Sequence, residues 1–335
     1  MRTTLVAALA TSVALPAFAQ ELNLYSSRHY DTDERLYSDF EEATGITINR
    51  IEGNADELIA RMEAEGENSP ADIFLTVDTS RLERAKNAGL FQSIESDVLE
   101  ARVPGYLQDE DNEWFGFSQR SRILFYDKTD VTDPPMTYQD LADPKYAGQI
   151  CIRSSSNVYT QTIVGALIEH LGEDAVKDWA EAVVANFARA PQGGDTDQLR
   201  GIVSGECDIA MSNTYYFGRA IRKDVDGLPK DAMANIGWVF PNQDTIGAHM
   251  NVSGGGVAAH APNLENAVTF LEYLASDQAQ EYFSAGNDEY PAVPGVALSP
   301  SVAQLGFFKP DGLDATAIAN NIPAAQKLLN EAGWE

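Results

Sequence analysis

The sequence has few of the side chains from which common catalytic and metal sites are built. It contains only two cysteines and four histidines, and the histidines are too scattered to form a zinc-binding pair at helical spacing. HExxH and CxxC motifs are absent, as are the GxSxG nucleophile elbow, the Walker loop and the GxGxxG fingerprint. Zinc hydrolysis is therefore disfavoured, and nothing in the sequence supports nucleotide chemistry.

Basic residues are also scarce. The 335 residues include 23 Lys and Arg but 51 Asp and Glu, which gives a formal net charge of -28 at pH 7. A field of this sign repels polyanions, so nucleic acid is excluded as the main partner. In so acidic a chain, neighbouring carboxylates such as Asp109 and Asp111 are typical of a solvated surface and do not identify a glycosidase.

The one long apolar run lies at the N terminus, and it is shorter than the roughly 20 residues that span a membrane. We therefore expect no stable membrane insertion. Arg2 precedes the apolar run at 5–15, and Ala17-Phe18-Ala19 forms a small-x-small site before Gln20. This pattern predicts a cleaved signal peptide over residues 1–19 and an exported mature chain.

Export determines how the two cysteines are interpreted. In an oxidising compartment, Cys151 and Cys207 are expected to form a disulfide rather than a metal-binding or catalytic pair. A bridge that closes a loop of about 57 residues stabilises the fold by roughly 3–4 kcal/mol in the chain-entropy model.

Strand and helix patterns alternate along the chain, which predicts an α/β fold with a largely parallel sheet. The clearest helix is predicted over 158–171, and the segment 115–126 is predicted to be extended. The glycines at 254–256 are expected to separate two extended segments, and a last helix is expected over 324–332. The apolar runs predicted as strands, each followed by a helical pattern, are 22–25, 71–75, 150–153 and 207–211.

The length suggests two domains, and the chain contains no repeat, low-complexity tract or long linker. Two domains without a flexible connector are expected to be joined by several strand crossings, which together form a hinge.

Tyrosines follow predicted strand ends in three places. Tyr30 follows the first strand, Tyr159 follows the strand at 150–153, and Tyr215 and Tyr216 follow the strand at 207–211. Ligands of open α/β sheets bind outside the carboxyl ends of strands, so these tyrosines are candidates for one site. A phenol that loses its proton to a highly charged cation becomes a hard anionic oxygen ligand, which suits ferric iron. Taken singly, each tyrosine is a common packing residue, and only the combination indicates a site.

The chain resembles the periplasmic ferric-iron-binding proteins of ABC importers, in particular the subgroup with a His-Tyr pair and three further tyrosines. The similarity extends from residues 23–30 to Ala332-Gly333-Trp334, and its most specific stretch is SGECDIAMSNTYY at 204–216. Arg120 and Arg122 are similar to a family segment in which an arginine lies beside the metal and holds an anion. Because they are two residues apart on a predicted strand, they lie on the same face, and arginines in such positions are usually exposed at the surface. The metal ligands implied by the resemblance are His29, Tyr30, Tyr159, Tyr215 and Tyr216.

The family fold is a two-lobed α/β fold, the type II periplasmic binding protein fold, with a ligand cleft and hinge strands between the lobes. The resemblance implies an N-terminal lobe of 20–118 plus 245–298 and a C-terminal lobe of 119–244 plus 299–335. It also implies a monomeric, non-enzymatic periplasmic protein that passes Fe³⁺ to an ABC permease. Four phenolates around Fe³⁺ sum to a charge of about -1, which an arginine could neutralise. With three phenolates, a synergistic anion or water must fill the remaining positions.

Two alternatives stay open. The same fold could bind an organic cation such as a polyamine or thiamine through aromatic faces and carboxylates. The chain could instead be an exported hydrolase with a tyrosine nucleophile, which needs a carboxylate within reach of Tyr215 or Tyr216.

Overall fold

A computed structural model describes residues 20–28, 30 and 32–335 of the chain. The predicted signal peptide at 1–19 lies outside the described residues. Within them, the strands are β1 Glu21–Ser26, β2 Thr47–Glu52, β3 Ile73–Thr76, β4 Phe115–Asp127, β5 Ile150–Cys151, β6 Ile209–Asn213, β7 Ile236–Val239, β8 Met250–Val257 and β9 Tyr290–Pro291.

Helices connect nearly all of these strands. Their bounds are α1 Asp33–Thr44, α2 Ala55–Glu65, α3 Thr79–Asn87, α4 Asp97–Arg102, α5 Val158–Leu171, α6 Glu173–Ala185, α7 Asp195–Ser204, α8 Thr214–Arg222, α9 Lys230–Met233, α10 Leu264–Leu274, α11 Asp277–Asn287, α12 Pro300–Leu305 and α13 Ala315–Glu331. None of the helices in this part of the chain is both long and apolar enough to cross a membrane.

The sheet has the order β2-β1-β3-β8-β4-β6-β5, and β7 and β9 also pair with β4. The outer pairs β1/β2, β1/β3 and β5/β6 are parallel, whereas β4 is antiparallel to β6, β7, β8 and β9. The prediction of a largely parallel sheet is therefore wrong: the sheet is mixed, with its antiparallel part in the middle, because β4 and β8 run against their neighbours. The first half of β4 pairs with β8 from Phe115 to Ser121, and the second half pairs with β6 from Arg122 to Tyr126.

The buried apolar residues form two regions on either side of this change of partner. The first core is built from residues 22–117 and 252–293. The second core is built from residues 123–236 and 305–334. The strand β4 contributes to both cores, so it links them through its own backbone.

Two predicted elements differ from the structure. The glycines 254–256 do not separate two strands, because they lie inside β8. A Cβ atom on Gly254 would lie 2.5 Å from the carbonyl oxygen of Phe115, and one on Gly255 would lie 2.8 Å from that of Phe74. The glycines thus allow neighbouring backbones to approach closely.

The last helix is longer than predicted, since α13 begins at Ala315 rather than 324 and contains Pro323. Proline usually marks a helix boundary, but here the helix begins eight residues earlier, where the side chain of Asp314 accepts a hydrogen bond of 2.7 Å from the backbone N–H of Thr316. The predicted helix over 158–171 is confirmed as α5.

The predicted disulfide is confirmed. Cys151 at the end of β5 is bonded to Cys207 before β6, with their Cα atoms 5.8 Å apart. Gly201 on α7 packs against the bond, because a Cβ there would lie 2.7 and 2.8 Å from the two sulfur atoms. The bridge therefore links the end of β5 to the segment before β6, and α7 packs against it.

Candidate functional site

A cavity of about 480 Å³ lies where the predicted turns meet. It brings Tyr30, Tyr159, Tyr215 and Tyr216 together, although they come from three separate stretches of the chain. His29 lies outside the described residues. The other lining residues are Thr32, Val77, Arg153, Asn157, Val158, Arg219, Lys223, Gly286 and Asn287.

Tyr215 and Tyr216 are placed by the junction between β6 and α8. The strand ends at Asn213 and the helix begins at Thr214, so both tyrosines occupy the first helical turn. Their ring centroids are 4.0 Å apart, and the Tyr215 ring meets that of Tyr30 edge to face at 6.3 Å. The sequence at this junction therefore presents two phenols at one end of a helix.

Tyr159 occupies the corresponding position on α5. The side chain of Asn157 caps this helix by accepting a hydrogen bond of 3.1 Å from the backbone N–H of Tyr159. Its ring is surrounded by arginines, because the guanidinium carbons of Arg120, Arg122 and Arg153 each lie 5.8 Å from the ring centroid.

Tyr30 lies on the loop between β1 and α1 and is supported by an arginine rather than by a helix. The guanidinium carbon of Arg28 lies 4.8 Å from the Tyr30 ring centroid. Arg28 is fully buried, and its Nε donates to Asp33 at 2.8 Å while Nη1 donates to Ser253 at 2.7 Å. The position of Tyr30 therefore depends on a buried ionic network.

That network continues through Glu289, a carboxylate with no exposed surface. Glu289 lies 3.5 Å from Arg28 and 3.2 Å from Arg120, and it accepts a hydrogen bond of 2.8 Å from Ser118. We call Arg28, Asp33, Arg120 and Glu289 the first ion network. It contains two cations and two carboxylates, so its formal charge is zero.

A second ion network consists of Arg122, Arg153 and Asp195. The Asp195 carboxylate accepts from Arg122 and, at 3.0 Å, from Arg153. The expectation that Arg120 and Arg122 lie on the surface is wrong, because both are fully buried. Carboxylates from distant parts of the chain make that burial possible. Neither arginine lines the cavity, and both contact it through the Tyr159 ring.

Burial in this cavity raises the pKa of the Tyr30, Tyr215 and Tyr216 phenols above the ordinary value near 10. The pKa of Tyr215 is raised further because Tyr159, Tyr30 and Tyr216 are close, while Arg120 acts in the opposite direction. These phenols therefore hold their protons at neutral pH. A cation that stabilises several phenolates at once can displace those protons.

Sequence analysis missed three cations of the cavity wall: Arg153, Arg219 and Lys223. Arg219 and Lys223 follow Tyr215 by four and eight residues, which is the helical spacing that could have revealed them. Among the described residues, no three His, Cys, Asp or Glu side chains are grouped to hold a metal ion. The cavity thus offers phenols as its anionic donors.

The chain was compared with known proteins. Residues 35–310 match the family model described as bacterial extracellular solute-binding protein. The chain is 48% identical to iron uptake protein A1 of Synechocystis sp., over 96% of this chain and 89% of that protein. It is 29% identical to the Fe(3+)-binding periplasmic protein of Serratia marcescens, over 98% and 96%. The structure of the Trichodesmium protein IdiA (FutA) in complex with iron and citrate superposes with a TM-score of 0.88 at 46% identity, over 94% of this chain and 100% of that one.

Proposed function

Because this chain belongs to the family of bacterial extracellular solute-binding proteins, we propose that it captures ferric iron through tyrosine phenolates and delivers it to an ABC permease. The predicted two-lobed α/β fold of type II is confirmed by the superposition with a TM-score of 0.88. The observation that carries the proposed function is the meeting of four phenols, from three chain segments, at one cavity.

The chemistry of this donor set favours a trivalent ion. Four phenolate oxygens compensate the charge of Fe³⁺ and match its preference for hard anionic ligands. An organic cation is disfavoured, because the described wall of the cavity has no carboxylate to pair with it and an organic cation does not displace the phenol protons. A tyrosine nucleophile is also disfavoured, because the nearby carboxylate of Asp195 is engaged by two arginines. The proposed role is therefore binding and transport rather than catalysis.

The proposed capture begins on the helices. Tyr159, Tyr215 and Tyr216 bind iron first, and the loop that carries Tyr30, together with His29, closes over it. The proposed lobes are 20–118 with 245–298 and 119–244 with 299–335. Their division is supported by the two cores and by the change of partner along β4. Closure then distinguishes the loaded from the empty protein for the permease.

The proposed site of action is the periplasm, reached by cleavage of the signal peptide at 1–19. The protein acts there as a monomer that docks on its permease in the loaded form. A mass spectrum of the protein purified from the periplasm tests the cleavage, and light scattering tests the oligomeric state.

An optical titration tests iron binding. Wild-type protein titrated with ferric iron is expected to show a visible phenolate-to-iron charge-transfer band. Loss of one ligand in Tyr215→Phe or Tyr159→Phe should weaken iron binding by more than the roughly 10–100-fold typical of a residue that only supports a ligand. Tyr106→Phe is the matched control, because Tyr106 is 61% exposed and lies outside the cavity. A colourless wild type, or unchanged iron retention in the two ligand variants, contradicts the proposal.

A further inference from the structure

The end of α11 lies between the Tyr30 loop and the helix that carries Tyr215 and Tyr216. Two residues there line the cavity, and they are followed by two neighbouring carboxylates, Asp288 and Glu289, which have no exposed surface. Although these carboxylates are adjacent in the chain, they bind arginines that belong to different parts of the site. We call residues 286–289 the linking segment.

Two residues of the linking segment contact the loop that carries Tyr30. The side-chain amide of Asn287 donates to Asp33 at 2.9 Å, and Glu289 lies 3.5 Å from Arg28. Both partners belong to the first ion network, and the guanidinium of Arg28 lies against the Tyr30 ring. The linking segment therefore helps to fix the position of the Tyr30 phenol.

Asp288, which lies between those two residues, instead binds α8, the helix with two of the phenols. Arg222 of α8 donates from Nε to Oδ1 of Asp288 at 2.8 Å and from Nη2 to Oδ2 at 2.6 Å. Its Nη2 also donates to the backbone carbonyl of Gly286 at 2.7 Å. A bidentate arginine–carboxylate pair fixes orientation as well as distance, and a cation is favourable at the C-terminal end of a helix. Arg222 thus holds α8 to the end of α11 in one orientation.

A glycine on α8 allows this close approach. A Cβ atom on Gly218 would lie 2.9 Å from the Cβ atom of Asp288, so a larger residue there would push the helix away from the linking segment. Gly218 and Arg222 are four residues apart and therefore share one face of α8. Glycine is unfavourable in the interior of a helix, and the contact with Asp288 accounts for it at this position.

The backbone of Asp288 points to the same contact. Its φ is 60°, in the left-handed region, which is uncommon for residues other than glycine. Glycine would adopt this conformation without strain, but it would lack the carboxylate to which Arg222 and the Ser301 hydroxyl donate. Backbone conformations of this kind persist where the surrounding structure requires them. Asp288 therefore combines a turn at the end of α11 with a bond to α8.

Resting on the proposed function, we propose that Arg222 is a positioning residue for iron binding. The Arg222–Asp288 pair sets the position of α8 against the linking segment. It thereby places the two phenols of α8 at the distance from Tyr30 at which one metal ion binds them all. The linking segment holds the Tyr30 loop through its other contacts. Without the pair, a metal ion bound by the phenols of α8 is no longer within reach of Tyr30.

Chelator competition and the optical spectrum of the full-length mature protein test this proposal. Arg222→Gln and Asp288→Asn each remove the ion pair, and asparagine tolerates the left-handed backbone at 288. Lys86→Gln is the matched control. Lys86 pairs at 2.6 Å with Asp109, whose side chain is only 4% exposed, and neither residue lines the cavity. Thermal unfolding without iron establishes that each variant is folded before its affinity is measured.

Arg222→Gln and Asp288→Asn should each weaken iron binding by about 10–100-fold, the range typical of residues that support a ligand. Each should also shift the phenolate-to-iron band. The double variant should bind iron little more weakly than either single variant, because the two residues act as one pair. Lys86→Gln should keep the wild-type band and an iron affinity within about twofold of the wild type.

A second substitution distinguishes positioning from a general loss of structure. Adding Tyr30→Phe to Arg222→Gln should lower the iron affinity little further, because Tyr30 no longer reaches the metal. Adding it to Lys86→Gln should lower the affinity by as much as it does in the wild type. An unchanged affinity and band in Arg222→Gln, or an equal effect of Tyr30→Phe in both variants, would overturn the proposal. A wild type without a band contradicts the proposed function instead, so the two failures are distinguishable.

Discussion

The cavity has two differently built sides. Tyr159, Tyr215 and Tyr216 sit in the first turns of α5 and α8, where strand ends and a helix cap fix the backbone. Tyr30 sits on a loop, and its support is Arg28 within the first ion network. The helix-borne phenols are therefore preorganised by local structure, whereas the loop-borne phenol depends on charged residues that are distant in sequence.

The two ion networks differ in the same way. The first network is neutral and connects the Tyr30 loop to β4 and to the segment before β9. The second has one carboxylate for two arginines and lies beside the Tyr159 ring. The loop-borne side thus has a balanced ionic support, and the helix-borne side keeps an excess of one positive charge.

The pH dependence of iron binding is expected to be the largest effect, and it tests whether the loop-borne phenol binds the metal. Burial raises the pKa of the Tyr30, Tyr215 and Tyr216 phenols, so the empty protein holds these protons between about pH 7 and 8.5. Iron must displace them, and the affinity therefore rises with pH. If these three phenols all bind, they should raise log affinity by about three per pH unit.

Competition against a chelator of known pH dependence measures this slope. Tyr30→Phe should lower the slope by about one, because one proton fewer is released. Tyr37→Phe is a suitable control, since Tyr37 is buried among the apolar residues of the first core. An unchanged slope in Tyr30→Phe would show that the loop-borne phenol is not a ligand.

The next largest effect, a loss of stability, is expected when Glu289 of the first ion network or Asp195 of the second is neutralised. Glu289→Gln leaves the buried Arg28 and Arg120 short of a counter-charge, and Asp195→Asn does the same to the buried Arg122 and the partly exposed Arg153. Each substitution should lower the free energy of unfolding by about 3–5 kcal/mol. Denaturant unfolding measures the loss. Asp133→Asn is the control, because the Asp133 side chain is 82% exposed and its pair with Lys145 is worth about 1 kcal/mol or less.

The same variants sharpen the contrast between the two sides. Glu289→Gln should weaken iron binding because it disturbs the position of Tyr30. Adding Tyr30→Phe to Glu289→Gln should therefore lower the iron affinity little further. In the Asp195→Asn variant, adding Tyr30→Phe should lower the iron affinity by as much as it does in the wild type. If the losses of iron affinity were additive in both variants, the division of the site into a loop-borne and a helix-borne side would be contradicted.

The smallest effect is expected at the helix cap of Tyr159. Asn157→Ala removes the hydrogen bond that the Tyr159 backbone N–H donates to the Asn157 side chain, and it should cost about 1 kcal/mol of stability. Asn54→Ala removes the same kind of cap from α2, where Asn54 accepts from Asp56 at 2.9 Å. Thermal unfolding should show similar losses in both, whereas only Asn157→Ala should lower iron affinity severalfold. Equal affinity in both variants would show that the cap does not position the phenol.

The phenols could be predicted from sequence because their placement is local. A strand, a short polar turn and a helix start follow one another at Tyr159 and at Tyr215, and this order alone places both at the same edge of the sheet. The fold class follows from the same alternation. The cysteine pair could be inferred from the predicted export.

The buried arginines could not be predicted in this way. Arg120 meets Glu289 across 169 residues, and Arg122 meets Asp195 across 73, so the residues that make their burial possible are not visible near them in the sequence. The strand through Gly254 was missed for a related reason. A glycine run is typical of a turn unless a distant backbone, here that of Phe115, comes close enough to require it.

The bond between Cys151 and Cys207 has a geometric consequence for metal coordination. It joins the last residue of β5, the strand that leads to Tyr159, to the segment just before β6, the strand that leads to Tyr215 and Tyr216. The two segments that carry these phenols are thus covalently linked, and the distance between them is constrained before any metal is bound. In a reduced chain, only the backbone pairing of β5 with β6 and side-chain packing would hold the two segments at this distance.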